Sequence, residues 1–233
     1  GRKIPADLVI CNADPPTVYS EMLPSKYSRD SLLKPKKFTH YSMGLYVLFF
    51  GSRKKFSDVA HHTIWMSERY KELLHDIFEK KILTDDFSLY LHRPTATDDT
   101  FAPEGCDSFY VLCPVPNLQG NVQWDLEGPK LKDRIVEALD KTIMPGLKEN
   151  IEAEFWMTPE DFKNDYRSKY GAGFSVAPIF SQSAWFRYHN KDKKIPNLYF
   201  SAAGSHPGAG IPGVLCSAKV IEKLIIKDFK VSH

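Results

Sequence analysis

Asn197-Leu-Tyr-Phe-Ser-Ala-Ala-Gly-Ser-His-Pro-Gly-Ala-Gly-Ile-Pro-Gly-Val-Leu-Cys-Ser217 is the stretch whose reading decides the fold. It begins as a short β-strand, passes through a glycine-dense turn and enters a helix predicted to run to about Asp228. Residues without Cβ atoms let the backbone come close to a ligand, and a helix start offers unpaired N–H groups at the positive end of its dipole. Gly208, Gly210 and Gly213 lie with Pro212 at that start, so the N–H groups around Ile211 to Val214 are placed to meet a pyrophosphate or an electron-rich ring. A tight strand-to-helix turn demanded only by packing is the other reading, and the residues alone leave both standing. His206 either bonds such a ligand or braces the turn, with bracing the expectation.

Outward from this stretch, Ala6 to Cys11 is an apolar run of the kind buried in a parallel sheet. The Asn12-Ala-Asp-Pro-Pro16 that follows starts a helix extending to about Leu23, with Asn12 and Asp14 expected to cap it. Tyr41 to Gly51 is a strand apolar on both faces; one face can pack on a helix while the other lines a hydrophobic cavity. Further strands are predicted over Ala60–Ser67, Ser88–His92, Phe109–Val115 and Ile151–Met157. Helices are predicted over Glu68–Lys80 and Gly128–Leu147, the latter with Leu131, Ile135, Leu139 and Ile143 on one stripe. Thr158-Pro-Glu-Asp161 is a helix start with Thr158 as its cap. There are no repeats.

Composition narrows the classes of function. The 233 residues carry 31 Lys and Arg against 29 Asp and Glu, so no strong field for nucleic acid exists. Cys11, Cys106, Cys113 and Cys216 are scattered without C-x-x-C spacing and read as free thiols of a reducing compartment. The longest apolar run, Leu45 to Phe50, is far short of a membrane span.

The quoted stretch resembles the C-terminal signature of bacterial and fungal carotenoid desaturases, the phytoene-desaturase flavoproteins. It departs at Ala202, where the family usually has Gly, and at Ser205, where it usually has Thr or Ala. His61-His62-Thr-Ile-Trp-Met, Arg93-Pro-Thr-Ala-Thr-Asp98, Ala102-Pro-Glu-Gly105, Tyr110-Val-Leu-Cys-Pro-Val-Pro-Asn-Leu118 and Gln182-Ser-Ala-Trp-Phe-Arg187 resemble further family segments, in family order. The resemblance implies an FAD-dependent oxidoreductase that desaturates a carotenoid precursor such as phytoene by hydride transfer to flavin. It implies an α/β fold: an FAD-binding Rossmann-like lobe beside an α+β substrate lobe with a mixed or antiparallel sheet. Family members are roughly twice as long and open with a βαβ glycine fingerprint, whereas no G-x-G-x-x-G follows a strand here. The chain is therefore expected to be a C-terminal half, inactive alone and partnered by the missing N-terminal half. Residues 1–20 would be a remnant of the FAD domain, 21–190 the substrate domain, and 191–233 the return to the FAD domain.

The same resemblance assigns the flavin contact to Ala203, Gly204, Gly208, Gly210, Ile211, Pro212, Gly213 and Val214, with Asn12 and Ala13 nearby. It makes Leu45, Val47, Phe49, Trp185 and Phe186 candidate walls of a channel for a hydrophobic polyene. A core aromatic with a snorkelling Arg187 is an equally weighted reading of the last segment. A carotenoid isomerase, a ketolase-like oxygenase, a retinol saturase or a non-catalytic lipid-binding module would also fit. Collecting a hydrocarbon implies a cytoplasmic protein held peripherally at a membrane, and Lys34-Pro-Lys-Lys37 and Arg53-Lys-Lys55 are either a lipid-docking rim or ordinary solvated loops. No catalytic acid or base stands out, and Asp85-Asp86 and Asp98-Asp99 read as solvated turns. His61 and His62, as neighbours on a strand, should point to opposite faces, and no metal site is expected.

Overall fold

A computed structural model describes residues 2–27 and 39–230 of the chain. The Lys34–Lys37 cluster lies outside the described residues. The chain divides into two compact units, Met43–Phe162 and the two flanking segments up to Ser42 and from Lys163 onward. The unit holding both chain ends also takes in positions 21–42 and 163–190, which the expected boundaries gave to the substrate domain. Those inner positions pair with each other: Tyr41 bridges Val176, and the N–H of Ser42 bonds the carbonyl of Ser175 at 2.9 Å.

In the flanking unit, β1 (Val9–Cys11) pairs in parallel with β7 (Leu198–Phe200), with Val9 opposite Leu198 and Cys11 opposite Phe200. Helix α1 (Pro15–Thr17) continues as a wide turn through Met22, and α6 (Ile211–Phe229) closes the chain. The small core joins Val18, Tyr19, Leu198 and Phe200, and the Tyr19 hydroxyl donates to Asp192 at 2.5 Å. Among the described residues, no helix is long and apolar enough to cross a membrane.

The middle unit is a five-stranded antiparallel sheet in the order β3-β4-β5-β2-β6, formed by His62–Trp65, Leu89–His92, Asp107–Val115, Gly44–Ser52 and Ile151–Met157. Helix α2 (Tyr70–His75) runs on as a wide turn to Lys80, so the predicted Glu68–Lys80 helix forms with its second half underwound. Helix α3 (Trp124–Lys141) begins one turn before the expected Gly128 and keeps Pro129 inside it. Its stripe of Leu131, Ile135 and Leu139 is fully buried against Tyr46, Leu48, Phe50 and Val111, the inward side chains of β2 and β5. The Tyr46 hydroxyl donates to the carbonyl of Gly128 at 2.9 Å, which satisfies the one polar atom on that side chain. Helices α4 (Leu147–Asn150) and α5 (Pro159–Asn164) flank β6 in sequence, and at the latter Asp161 accepts from both the N–H and the hydroxyl of Thr158.

Alternation puts a second set of side chains on the other face of this sheet: Phe49, Tyr90, His92, Tyr110, Leu112 and Phe155 among them. Phe49 stacks on Phe155 with ring centroids 4.5 Å apart and meets Tyr110 at 5.4 Å. This face also carries the correction to the reading of the histidine pair. Strand β3 begins at His62, so His61 precedes it and alternation does not govern its ring. The rings of His61 and His62 lie 4.4 Å apart on the same side and both pack against His92.

Candidate functional site

Strands β1 and β7 end together, and the N–H of Ser201 extends the pairing by bonding the carbonyl of Cys11 at 3.0 Å. The segments leaving them, Asn12–Asp14 and Ser201–Gly204, therefore lie side by side at the carboxyl edge of a parallel pair, where α/β proteins place their ligands.

The turn is held from below by buried polar groups. Asn190 presents its side-chain amide to the carbonyls of Phe200 and His206 at 3.0 and 2.8 Å and to Ser217 Oγ at 2.8 Å. Ser205 spans the turn, its Oγ accepting from the N–H of Ala202 at 3.0 Å and lying 3.1 Å from Ser217 Oγ. The main chain of His206 is braced on both sides, its N–H bonding the Tyr188 carbonyl at 2.8 Å. The expected bracing thus comes from its backbone, while the buried Nδ1 of its ring has no partner among the described residues.

Arg187 does not snorkel. It is buried, and its guanidinium donates to the Ala203 carbonyl from Nε (3.2 Å) and Nη2 (2.9 Å) and to the Phe174 carbonyl at 2.9 Å. Trp185 and Phe186 are 68% and 59% exposed, so they are not core aromatics either. Burial pulls the Arg187 guanidinium below its ordinary value, an effect partly offset by the nearby Asp14 carboxylate.

Asp14 sits at the N-cap position of α1 without capping it. Its carboxylate turns away to accept from Ser175 Oγ at 2.5 Å and from the N–H of Lys169 at 2.9 Å. Burial raises its pKa against the pull of those bonds. Asn12 is exposed. Gly204 packs into this corner so closely that a Cβ there would lie 2.5 Å from Ser175 Oγ and 2.7 Å from Pro15 Cδ.

The mouth of α6 is shaped by two further glycines. Gly210 adopts φ 91°, a conformation that a side chain disfavours, and an added Cβ on Gly213 would meet the Gly208 carbonyl oxygen at 2.7 Å. The expected row of donors from Ile211 to Val214 is shorter than anticipated. Pro212 has no N–H, and the N–H of Val214 closes the first helical turn on the Gly210 carbonyl at 2.9 Å. Among the described residues, the N–H groups of Ile211 and Gly213 remain without an acceptor. Ile211 itself is 78% exposed.

The channel candidates divide between the two units. Leu45 and Val47 are buried side chains of β2. Phe49 lines a cavity, about 410 Å³ in volume, with Tyr110, Phe155, Pro94 and Ala153 among its walls. Trp185 and Phe186 belong to the flanking unit.

Comparison with known proteins places the chain. Residues 1–220 match the family described as flavin containing amine oxidoreductase. The chain belongs to this family. A lycopene-forming phytoene desaturase of Pantoea ananas is 45% identical over 232 residues, 98% of this chain and 46% of that protein. A neurosporene-forming phytoene desaturase of Rhodobacter capsulatus is 43% identical over 233 residues, covering 97% of this chain and 44% of its own length. The chain thus spans about half the length of the curated relatives it matches. Among solved structures, an oxidoreductase from Methanosarcina mazei superposes with a TM-score of 0.53 at 15% identity, over 95% of this chain and 44% of its own. At that identity the likeness speaks to the fold, a mixed α/β arrangement with one parallel and one antiparallel sheet.

Proposed function

We propose that this chain serves an FAD-dependent desaturation of a carotenoid precursor such as phytoene. The observation that carries the reading is the 45% identity to a phytoene desaturase across 98% of the chain. The site suits a flavin on its own terms. Gly210 and Gly213 keep side chains away from the helix mouth, and the Ile211 and Gly213 N–H groups suit an electron-rich ring edge at the positive end of α6.

Bound there, FAD would supply the acceptor for the hydride removed from a C–C single bond. Ala203, Gly204, Gly208, Pro212 and Val214 complete the backbone surface next to it. Asn190, Ser205 and Arg187 hold that surface rigid from behind, and rigid backbone donors cost no reorganisation when charge develops. In this reading the grip on the ADP half comes from an N-terminal partner segment of the same protein. On the middle unit, the aromatic face around Phe49, Tyr110 and Phe155 offers a polyene apolar contact without charge.

A hydrocarbon substrate is drawn from a bilayer, so the protein is proposed to work in the cytoplasm, peripherally at a membrane surface. Phe180, Trp185 and Phe186, 89%, 68% and 59% exposed, supply an aromatic rim for that contact. The second basic cluster is less free than a docking rim requires. Arg53 pairs with Glu152, and Lys54 Nζ donates to the Pro145 carbonyl at 2.6 Å.

The test uses the intact protein. Flavin released by heat, and conversion of phytoene carried in liposomes, are expected. A colourless protein that takes up no added FAD and leaves phytoene unchanged refutes the assignment.

A further inference from the structure

We propose that His61, His62 and His92 form a binding site for one borderline divalent transition-metal ion, with zinc as the reference case. The site lies on the outer face of the five-stranded sheet and does not rest on the flavin reading.

Three observations carry it. Each of the three imidazoles offers a ring nitrogen, and these atoms all lie within 4.8 Å of one another. Two of them, the Nε2 atoms of His61 and His92, face each other at 2.8 Å. Two neutral imidazoles can share that separation only if one of them gives up its Nδ1 proton position to hold the proton at Nε2. The second observation is the partner that each outer nitrogen has. His61 Nδ1 is engaged by the Thr97 hydroxyl, and His62 Nδ1 by the Tyr90 hydroxyl at 2.8 Å. Ligating histidines hold their outer nitrogen in this way, which fixes the tautomer and leaves the Nε2 lone pair for the metal. When His61 and His62 donate from Nδ1, their Nε2 lone pairs are free for a cation, and the 2.8 Å contact between the Nε2 atoms of His61 and His92 opens to admit it.

The third observation is the placement of the rings. His62 and His92 are cross-strand partners on β3 and β4, and His61 is pinned beside them because its carbonyl accepts from the N–H of Arg93 at 2.9 Å. Stacking on Tyr90 at 5.9 Å and edge contact with Tyr110 at 6.3 Å hold His62 and His92 in plane. Zn–N bonds of ~2.0–2.1 Å in a tetrahedral set separate ligand nitrogens by about 3.3 Å. The closest pair must therefore open by about 0.5 Å and the widest close by about 1.5 Å, which small side-chain rotations supply. Three imidazoles leave a fourth position for water, and imidazole nitrogen suits zinc, copper, nickel and cobalt over magnesium and calcium.

The intact protein, stripped with EDTA and desalted, is titrated with zinc chloride by calorimetry and with cobalt(II) by visible absorption. One equivalent is expected to bind, with intense cobalt d–d bands of low coordination number. His62→Gln and His92→Gln are each expected to weaken binding at least about tenfold, and Tyr90→Phe about 10–100-fold through the lost outer bond. His75→Gln, on α2, leaves it unchanged. Far-UV circular dichroism checks folding, and the exposed His62 keeps the test open should His92→Gln unfold the sheet. No stoichiometric uptake by the parent protein, or parent-like affinity in folded His62→Gln, overturns the site.

Discussion

Replacing Asp107 with Asn strands a buried guanidinium. Asp107 is 1% exposed and its carboxylate accepts four bonds: from Arg93 Nε at 3.0 Å, Arg93 Nη2 at 3.2 Å, the Phe56 N–H at 2.7 Å and Thr95 Oγ1 at 2.7 Å. Arg93 is itself 7% exposed, and the further bond its guanidinium makes, to the Val59 carbonyl at 3.1 Å, brings no charge. Removing one member of such a pair costs about 3–5 kcal/mol, because the other charge stays out of water without compensation. With a urea m-value of ~2 kcal/mol/M, the unfolding midpoint should fall by about 2 M. Trp65, Trp124 and Trp156 all lie in the unit that holds the pair, so tryptophan fluorescence of the intact protein reports its unfolding. The double variant Arg93→Met with Asp107→Leu should recover much of the loss, since neither charge then needs a partner. A midpoint shift below about 0.5 M for Asp107→Asn would refute the reasoning.

Gly204→Ala forces a Cβ to within 2.9 Å of Asp14 Oδ1 as well as against Ser175 and Pro15, and is expected to cost about 1–3 kcal/mol, read by thermal shift. Gly210→Ala meets no atom within 4 Å and should cost about 1–3 kcal/mol through its backbone alone, at φ 91° and ψ 150°; an unchanged melting temperature at either position would contradict the account given for it. Burial raises the Asp14 pKa above its unfolded value, so its contribution is complete below the unfolded carboxylate value of ~3.9 and lost as pH climbs through the folded one. Stability of Asp14→Asn relative to the parent should accordingly improve from acid to neutral pH in urea unfolding, and a gap that moves the other way rules the desolvation account out. Leu139→Ala, fully buried on α3, should lose about 2–5 kcal/mol by the same assay, and a loss under 1 kcal/mol would show that the helix does not pack as described.

Much of the fold was legible because its strands carry their period openly. β6 spans Ile151–Met157 as read, and β2 and β5 shift by only a few residues at their ends. The glycine turn was legible too, since close approach and positive φ leave few residues to choose from. Long-range polar partners were not. Asp14 looked like a cap because sequence shows only near neighbours, whereas its partners Lys169 and Ser175 lie 155 and 161 residues away. Arg187 read as snorkelling because nothing local offers the carbonyls of Phe174 and Ala203. His61 was misplaced by starting β3 at Ala60, two residues too early. The Asp107 pair did leave a signal: Asp107 continues inward the alternation of Phe109, Val111 and Cys113, and an acid on a buried face requires a buried partner.

Strand β1 pairs with β7 across 189 positions, Val9 to Leu198. On a ribosome adding about 5–20 residues per second, the first strand waits roughly 10–40 s for its mate to be synthesised. Closing so long a loop carries an entropy cost of about 4–5 kcal/mol, so the parallel pair is a late event. The antiparallel sheet between them, whose strands are all made earlier, has time to assemble first. Nascent-chain stalling just before Leu198 should therefore yield a protease-resistant middle unit and a still-cleavable β1 segment.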